Sequence, residues 1–148
     1  MVKSVRKDYF EGILQLRNPT QELLDFVRNR VRKDNKAFIA KEEPVSGGID
    51  LYLSSNHYLQ NLGMLLKKSF PGELKISRRL YSRSHLTSRQ LYRVNVMFRL
   101  SDLRKGQQVT YRGTLHEIVS LAGKVALRST TTGKRLTVDY KDVKQVMQ

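Results

Sequence analysis

Residues 74–100 alternate apolar and polar side chains so cleanly that they fit a pair of long β-strands. On the first run Leu74, Ile76 and Leu80 share one face, and Lys75, Arg79, Tyr81 and Arg83 the other. On the second run Tyr92, Val94, Val96, Phe98 and Leu100 point one way. Arg89, Leu91, Arg93, Asn95, Met97 and Arg99 point the other. Strand geometry converts this period of two into one apolar surface and one polar surface. The stretch carries Lys75, Arg78, Arg79, Arg83, Arg89, Arg93 and Arg99, with no acid between Glu73 and Asp102. Lysine alone would keep such a face solvated, yet six of these seven cations are arginine. Arginine's planar fork pairs bidentately with phosphate and stacks on bases. The hairpin therefore reads as a docking surface for a nucleic-acid backbone.

The segment before it supplies the rest of a domain. Tyr9–Arg17 reads as a strand with Phe10, Leu14 and Leu16 on one side and Glu11, Gln15 and Arg17 on the other. Asn18-Pro19-Thr20-Gln21 opens a helix, with Asn18 as the expected cap and Leu23, Leu24, Val27 and Val31 as its apolar stripe. Arg28, Arg30, Arg32 and Lys33 crowd the end of that helix, where its dipole favours cations, so they need no binding role. Ala37–Glu42 reads as a strand and Pro44–Gly48 as a turn. Ile49, Leu51 and Leu53 alternate with Asp50, Tyr52 and Ser54 in a third strand. Ser55 or Asn56 caps a second helix built on Leu59, Leu62, Leu65, Leu66 and Phe70, which Pro71-Gly72 ends. The order strand, helix, strand, strand, helix, strand, strand predicts a ferredoxin-like split βαβ fold with an added strand. The sheet is expected to be antiparallel, with both helices on one face and the other face open. Tyr9, Tyr52 and Tyr81 are expected on the open face beside the arginines, as platforms for base stacking or as a surface that another body covers.

From Asp102 the pattern changes. Gly106, Gly113, Gly123 and Gly133 punctuate the short runs Gln108–Arg112, Thr114–Leu121, Lys124–Thr130 and Lys134–Val138. A short helical turn over Val138–Val143 and a last strand Lys144–Met147 complete five strands, which fit a small SH3-like β-barrel. The expected class is thus α+β, with domains at 1–101 and 102–148. Lys124, Lys134 and Arg135 fall at barrel turns and are candidate RNA contacts.

The charge balance supports a polyanionic partner. The chain of 148 residues has 28 basic and 13 acidic side chains, a net charge of +15. Such an excess favours fast, salt-sensitive association with polyanions. No cysteine is present, which removes disulfides and thiolate zinc sites and fits a reducing compartment, so the cytoplasm is the expected location. Met1–Lys7 is basic with no apolar run behind it and does not read as a signal peptide. No run is long enough to span a bilayer, and no helix is basic on one face and aromatic on the other. His57, His85 and His116 are scattered without metal-ligand spacing, so no metal and no cofactor are expected. His85 lies in the hairpin turn, where it can meet phosphate. Neither a nucleophile elbow nor a Gly-rich phosphate loop occurs, and no acid–base constellation is evident, so no enzymatic activity is expected. The candidate RNA-binding set is Lys75, Arg78, Arg79, Tyr81, Arg83, His85, Arg89, Arg93, Arg99, Lys124, Lys134 and Arg135.

Three stretches together carry a family resemblance. They are Leu14-Gln15-Leu16-Arg17, then Gly48-Ile49-Asp50-Leu51-Tyr52-Leu53-Ser54-Ser55 with His57 behind it, then Lys75-Ile76-Ser77-Arg78-Arg79-Leu80 followed by Ser88 and Tyr92-Arg93-Val94. Over roughly residues 8–100 the chain resembles the archaeal and eukaryotic Nmd family of large-ribosomal-subunit assembly and export adaptors. The tail, 103–147, is similar to that family's small barrel, which looks like initiation factor five A. The resemblance implies a non-enzymatic, monomeric adaptor that contacts ribosomal RNA and ribosomal proteins of the maturing large subunit. It also implies a meeting with the subunit's anti-association factor. Family members carry paired cysteines that bind zinc in an N-terminal region, and this chain has none. It therefore matches the central and C-terminal part, and zinc-dependent contacts do not carry over. The alternative reading is a generic basic RNA-binding module of the translation machinery.

Overall fold

The computed structural model describes residues 8–83, 90–121 and 123–143, the side chains of 81–83, 90 and 91 excepted. The protein is α+β, with a mixed five-stranded sheet and a separate four-stranded antiparallel sheet. The elements run β1 (Gly12–Arg17), α1 (Gln21–Asp34), β2 (Ile39–Val45), β3 (Gly48–Leu53), α2 (Asn56–Ser69), β4 (Gly72–Arg83) and β5 (Gln90–Leu100). Then follow β6 (Gln108–Tyr111), β7 (Thr114–Ser120), β8 (Val125–Ser129), β9 (Arg135–Val138) and a 3₁₀ turn at Tyr140–Asp142. Two compact units result: Met1–Leu65 with Leu74–Arg99, and Leu66–Glu73 with Leu100–Gln148.

The larger sheet has the order β2-β3-β1-β5-β4. Register places Gly12, Leu14 and Leu16 of β1 beside Leu53, Leu51 and Ile49 of β3, and beside Val94, Val96 and Phe98 of β5. These positions form one apolar face, and most of them are buried. Both helices cover it. Leu59 of α2 crowds Gly12, and Gly63 of α2 lies against Val96. Arg28 of α1 pairs with Glu42, whose register partner Leu51 is on the same face. Tyr58 ties the helices together. Its hydroxyl donates to Asp34 Oδ2 at 2.7 Å and lies 3.2 Å from the Arg30 carbonyl.

Four sequence expectations need correction. The sheet is not wholly antiparallel, because β5 runs parallel to β1. Val94, Val96 and Phe98 are apolar enough to fill an interior strand, so the added strand sits inside the sheet and β4 takes the edge. Thr20, not Asn18, caps α1: its Oγ1 accepts the Leu23 N–H at 3.2 Å. Asn18 instead takes a left-handed backbone (φ 54°) and donates its N–H to the Gly47 carbonyl at 2.8 Å. Strand β2 continues through Pro44, because an edge strand does not need that residue's missing N–H. Phe10 precedes the strand and leaves the Leu14–Leu16 face, as described below. At α2 the cap is Ser55, whose Oγ accepts the Tyr58 N–H at 3.1 Å.

The smaller sheet is an antiparallel meander, β6-β7-β8-β9. Val109, Ile118, Val125, Leu127 and Val138 form its core with Leu103 and Val143. Arg112 and Gly113 both take positive φ (51° and 78°), which closes the tight β6–β7 hairpin. The expected last strand, Lys144–Met147, lies outside the described residues.

Candidate nucleic-acid interface

The face of the larger sheet opposite the helices is built by alternation. Leu74 reaches Gly63 of α2, so Lys75, Ser77 and Arg79 project to the other side. On β5 the residues between the buried valines and Phe98 are Arg93, Asn95, Met97 and Arg99. Register aligns Asn95, Met97 and Arg99 with Ile13, Gln15 and Arg17 of β1. Asp50 and Tyr52 of β3, and Lys41 and Glu43 of β2, complete the surface.

Charge on this face is sorted by strand. On the β1–β3–β2 side cations meet acids: Arg17 pairs with Asp50 at 2.9 Å and Lys41 with Glu43 at 4.0 Å. On the β5–β4 side Lys75, Arg79 and Arg99 are exposed and make no ion pair among the described residues. Cations left in water without an acid keep their full field for a polyanion. The sequence places Lys75, Arg79, Arg93 and Arg99 on one surface, and the structure brings those four together.

Arg78 stands apart from this set. Alternation turns it to the helix-bearing side, where its guanidinium donates to Gln60 Oε1 of α2 at 3.2 Å. The side chains of Tyr81 and Arg83, and the whole of His85 and Arg89, lie outside the described residues.

The aromatic residues of this face are engaged with their neighbours. Phe10 crosses onto the open face and meets the Tyr52 ring edge-on, with centroids 4.8 Å apart. The Arg93 guanidinium covers the Phe10 ring at 3.9 Å, and Lys41 Nζ lies 5.2 Å from the Tyr52 ring centre. The result is a ladder Lys41–Tyr52–Phe10–Arg93. Sequence reasoning missed it, since the assumed strand from Tyr9 put Phe10 on the wrong face. The Tyr52 hydroxyl donates to Glu43 Oε1 at 2.8 Å, which raises its pKa, with burial adding to the effect. Tyr9 donates to Glu11 Oε2 at 2.5 Å, and burial first and this bond second push its pKa up to about 12. Glu11 Oε1 in turn accepts the Asn56 N–H at the start of α2. Tyr9 and Tyr52 thus have hydroxyls committed to acids, and their neutral form is held well beyond physiological pH.

In the smaller sheet one outward row crosses all four strands: Gln108, Glu117, Arg128 and Arg135. Glu117 pairs with Arg128 at 2.6 Å, and Arg135 is exposed without an acid among the described residues. Lys134 is exposed at the β8–β9 turn, while Lys124 pairs with Asp139 at 3.7 Å. His116 is buried, and its Nδ1 lies 2.8 Å from the Thr114 carbonyl, which fixes the ring proton on that nitrogen. His57 is exposed in the first turn of α2 beside Asn61. Among the described residues no group of three or more His, Asp or Glu gathers that could hold a metal ion. No helix among them is long and apolar enough to cross a membrane.

A two-layer α+β unit with a sorted cationic sheet face, joined in sequence to a small basic β unit, defines a class of protein suited to contact with a polyanion. The family described as NMD3, second domain, matches residues 9–100, and the chain belongs to that family. Membership gives it a role related to ribosome biogenesis in general. No curated protein matches the chain.

Proposed function

We propose that the protein is a non-enzymatic adaptor that binds the large ribosomal subunit, through ribosomal RNA and ribosomal protein, during assembly or maturation. One observation carries this reading: Lys75, Arg79 and Arg99 stand on the open face without an ion pair among the described residues, while the neighbouring strands neutralise their own charge. Family membership supplies the ribosomal context. The finer architecture proposed is a ferredoxin-like sheet with an inserted strand over 1–101 and an SH3-like barrel over 102–148. The adaptor works as a monomer in the cytoplasm, without cofactor or metal, and contacts the subunit's anti-association factor.

The test is co-sedimentation with purified large and small subunits at about 0.15 M salt. Both subunits are polyanionic, so charge alone gives equal binding per mass of RNA. The adaptor reading expects a preference for the large subunit. Equal binding would favour the generic RNA-binding module instead, because that module needs only the cations and no shape match.

A further inference from the structure

The larger sheet has two edges, and they are built differently. At one edge β2 carries Pro44 and a register shift between Ile39 and Lys41, and both features disfavour addition of another strand. At the other edge β4 runs for 12 residues, contains no proline, and is exposed at every position from Lys75 to Leu80. Long unpaired edges are rare in soluble proteins, because their outward N–H and C=O groups template pairing with another chain.

The side chains on this edge specify what can pair. Lys75 and Arg79 project to the open face, exposed and without an ion pair among the described residues. Ile76 and Leu80 project to the helix-bearing side and remain 38% and 52% exposed. Arg78 is held by Gln60 of α2 and stays out of the way. Cations on an edge strand commonly guard against self-pairing, and here a second copy would bring like charges together. A guard does not require exposed Ile76 and Leu80 between the charges. RNA satisfies Lys75 and Arg79 but leaves the outward carbonyls and these apolar side chains unpaired. An extended peptide with acids at alternate positions satisfies all three features at once.

We propose that the β4 edge accepts an extended acidic segment of a partner protein as a sixth strand, its acids opposite Lys75 and Arg79 and its apolar residues against Ile76 and Leu80. This site shares Lys75 and Arg79 with the RNA contact proposed above, and the test below reads peptide binding with no RNA present.

The experiment uses the full chain and three short peptides: glutamate alternating with valine, the same composition in two blocks, and lysine alternating with valine. Fluorescence anisotropy measures affinity, and amide hydrogen exchange locates the contact. The alternating acidic peptide is expected to bind ~10-fold tighter than the block peptide, a difference of about 1.4 kcal/mol. It should slow exchange within residues 75–80 and leave β2 unchanged. In the variant Lys75→Glu with Arg79→Glu, the preference should pass to the alternating lysine peptide. Equal binding of alternating and block acidic peptides would overturn the proposal, since bulk charge then suffices. Protection confined to β2, or a reversed-charge variant that keeps the original preference, would overturn it as well. Self-association through β4, detected by analytical ultracentrifugation, would also do so.

Discussion

Arg17 and Arg99 stand in register on the parallel strands β1 and β5, and Asp50 neutralises only Arg17, at 2.9 Å. The same type of residue on the same face thus has two fates, set by which neighbour carries the acid. Arg17 also donates to the Leu16 carbonyl at 3.0 Å, which locks it into the sheet. Arg99 is left to solvent. Counting arginines would treat the two alike.

RNA affinity should therefore track the unpaired cations. Lys75, Arg79 and Arg99 changed together to Ala should weaken RNA binding. They should also flatten its log–log salt dependence by roughly 0.7–0.9 for each phosphate that is no longer neutralised. The matched set Arg28, Arg30 and Arg32 to Ala should do less, because Arg28 already pairs with Glu42 and Arg30 with Asp34. Filter binding across a salt series measures both slopes. Equal effects of the two sets would mean that only net charge matters.

Gly48 should be intolerant of a side chain. A methyl group there would collide with the Leu16 carbonyl oxygen, where β3 crosses close to β1. Gly48→Ala is expected to cost ~3 kcal/mol, the upper end for an overpacked interior. Gly123→Ala, with nothing within 4 Å, should stay within ~0.5 kcal/mol. Urea unfolding of the two variants decides the matter. The residue that opens the Gly48–Leu53 run is then there for backbone clearance rather than for RNA.

The clasp between the helices should show itself in acid. Tyr58 donates to Asp34, and this bond, with Arg30 nearby, holds the Asp34 carboxyl below its ordinary value. A carboxyl with a lowered folded pKa stabilises the fold above its unfolded pKa of about 3.9 and loses that contribution as pH falls through the folded value. Tyr58→Phe should lower the melting temperature by a few degrees near neutrality. The gap between variant and wild type should shrink as pH drops below about 4. Thermal scans from neutral pH into acid test this, and a gap constant through the acid range would exclude the clasp as its source.

Much of the fold is legible in the sequence because its signals are local. The buried residues Leu14, Leu16, Leu51, Leu53, Val94, Val96 and Phe98 all fall on alternating positions that the pattern marks. Strand order is not local. Nothing in the alternation of β5 says whether it pairs with β1 or lies at an edge, so its parallel place inside the sheet had to come from the structure. Thr20 and Asn18 are both capping residues, and only the turn geometry, with Asn18 bonded to Gly47, chooses between them. For the site, alternation gives the face of Lys75, Arg79, Arg93 and Arg99. It cannot show that Asp50 silences Arg17 or that Gln60 holds Arg78, since both contacts join residues far apart in sequence.

Phe10 should matter for stability and not for binding. Its ring contacts Tyr52 on one side and the Arg93 guanidinium on the other. Phe10→Ala is expected to cost ~1–2 kcal/mol, less than for a fully buried ring because Phe10 is only half-buried. The change uncovers the Tyr52 face and removes no cation, so RNA affinity should hold or rise. A fall in affinity with the fold intact would show that bases stack on Phe10 itself.

The smaller sheet allows a test in which two single changes act in opposite directions. Glu117 stands between Gln108 and Arg128 in the outward row and pairs with Arg128, while Arg135 at the far end has no acid among the described residues. If this row faces RNA, Glu117→Gln frees Arg128 and should strengthen RNA binding, steepening the salt slope by up to ~0.9. Arg135→Ala should weaken it and flatten the slope by a similar amount. Glu22→Gln removes the same charge from the exposed first turn of α1 and serves as the control. Bulk attraction would make the two glutamate variants equal. A larger gain from Glu117→Gln than from Glu22→Gln, measured at the same salt, places the contact at the Arg128–Arg135 row, because only there does removing the acid uncover a second arginine.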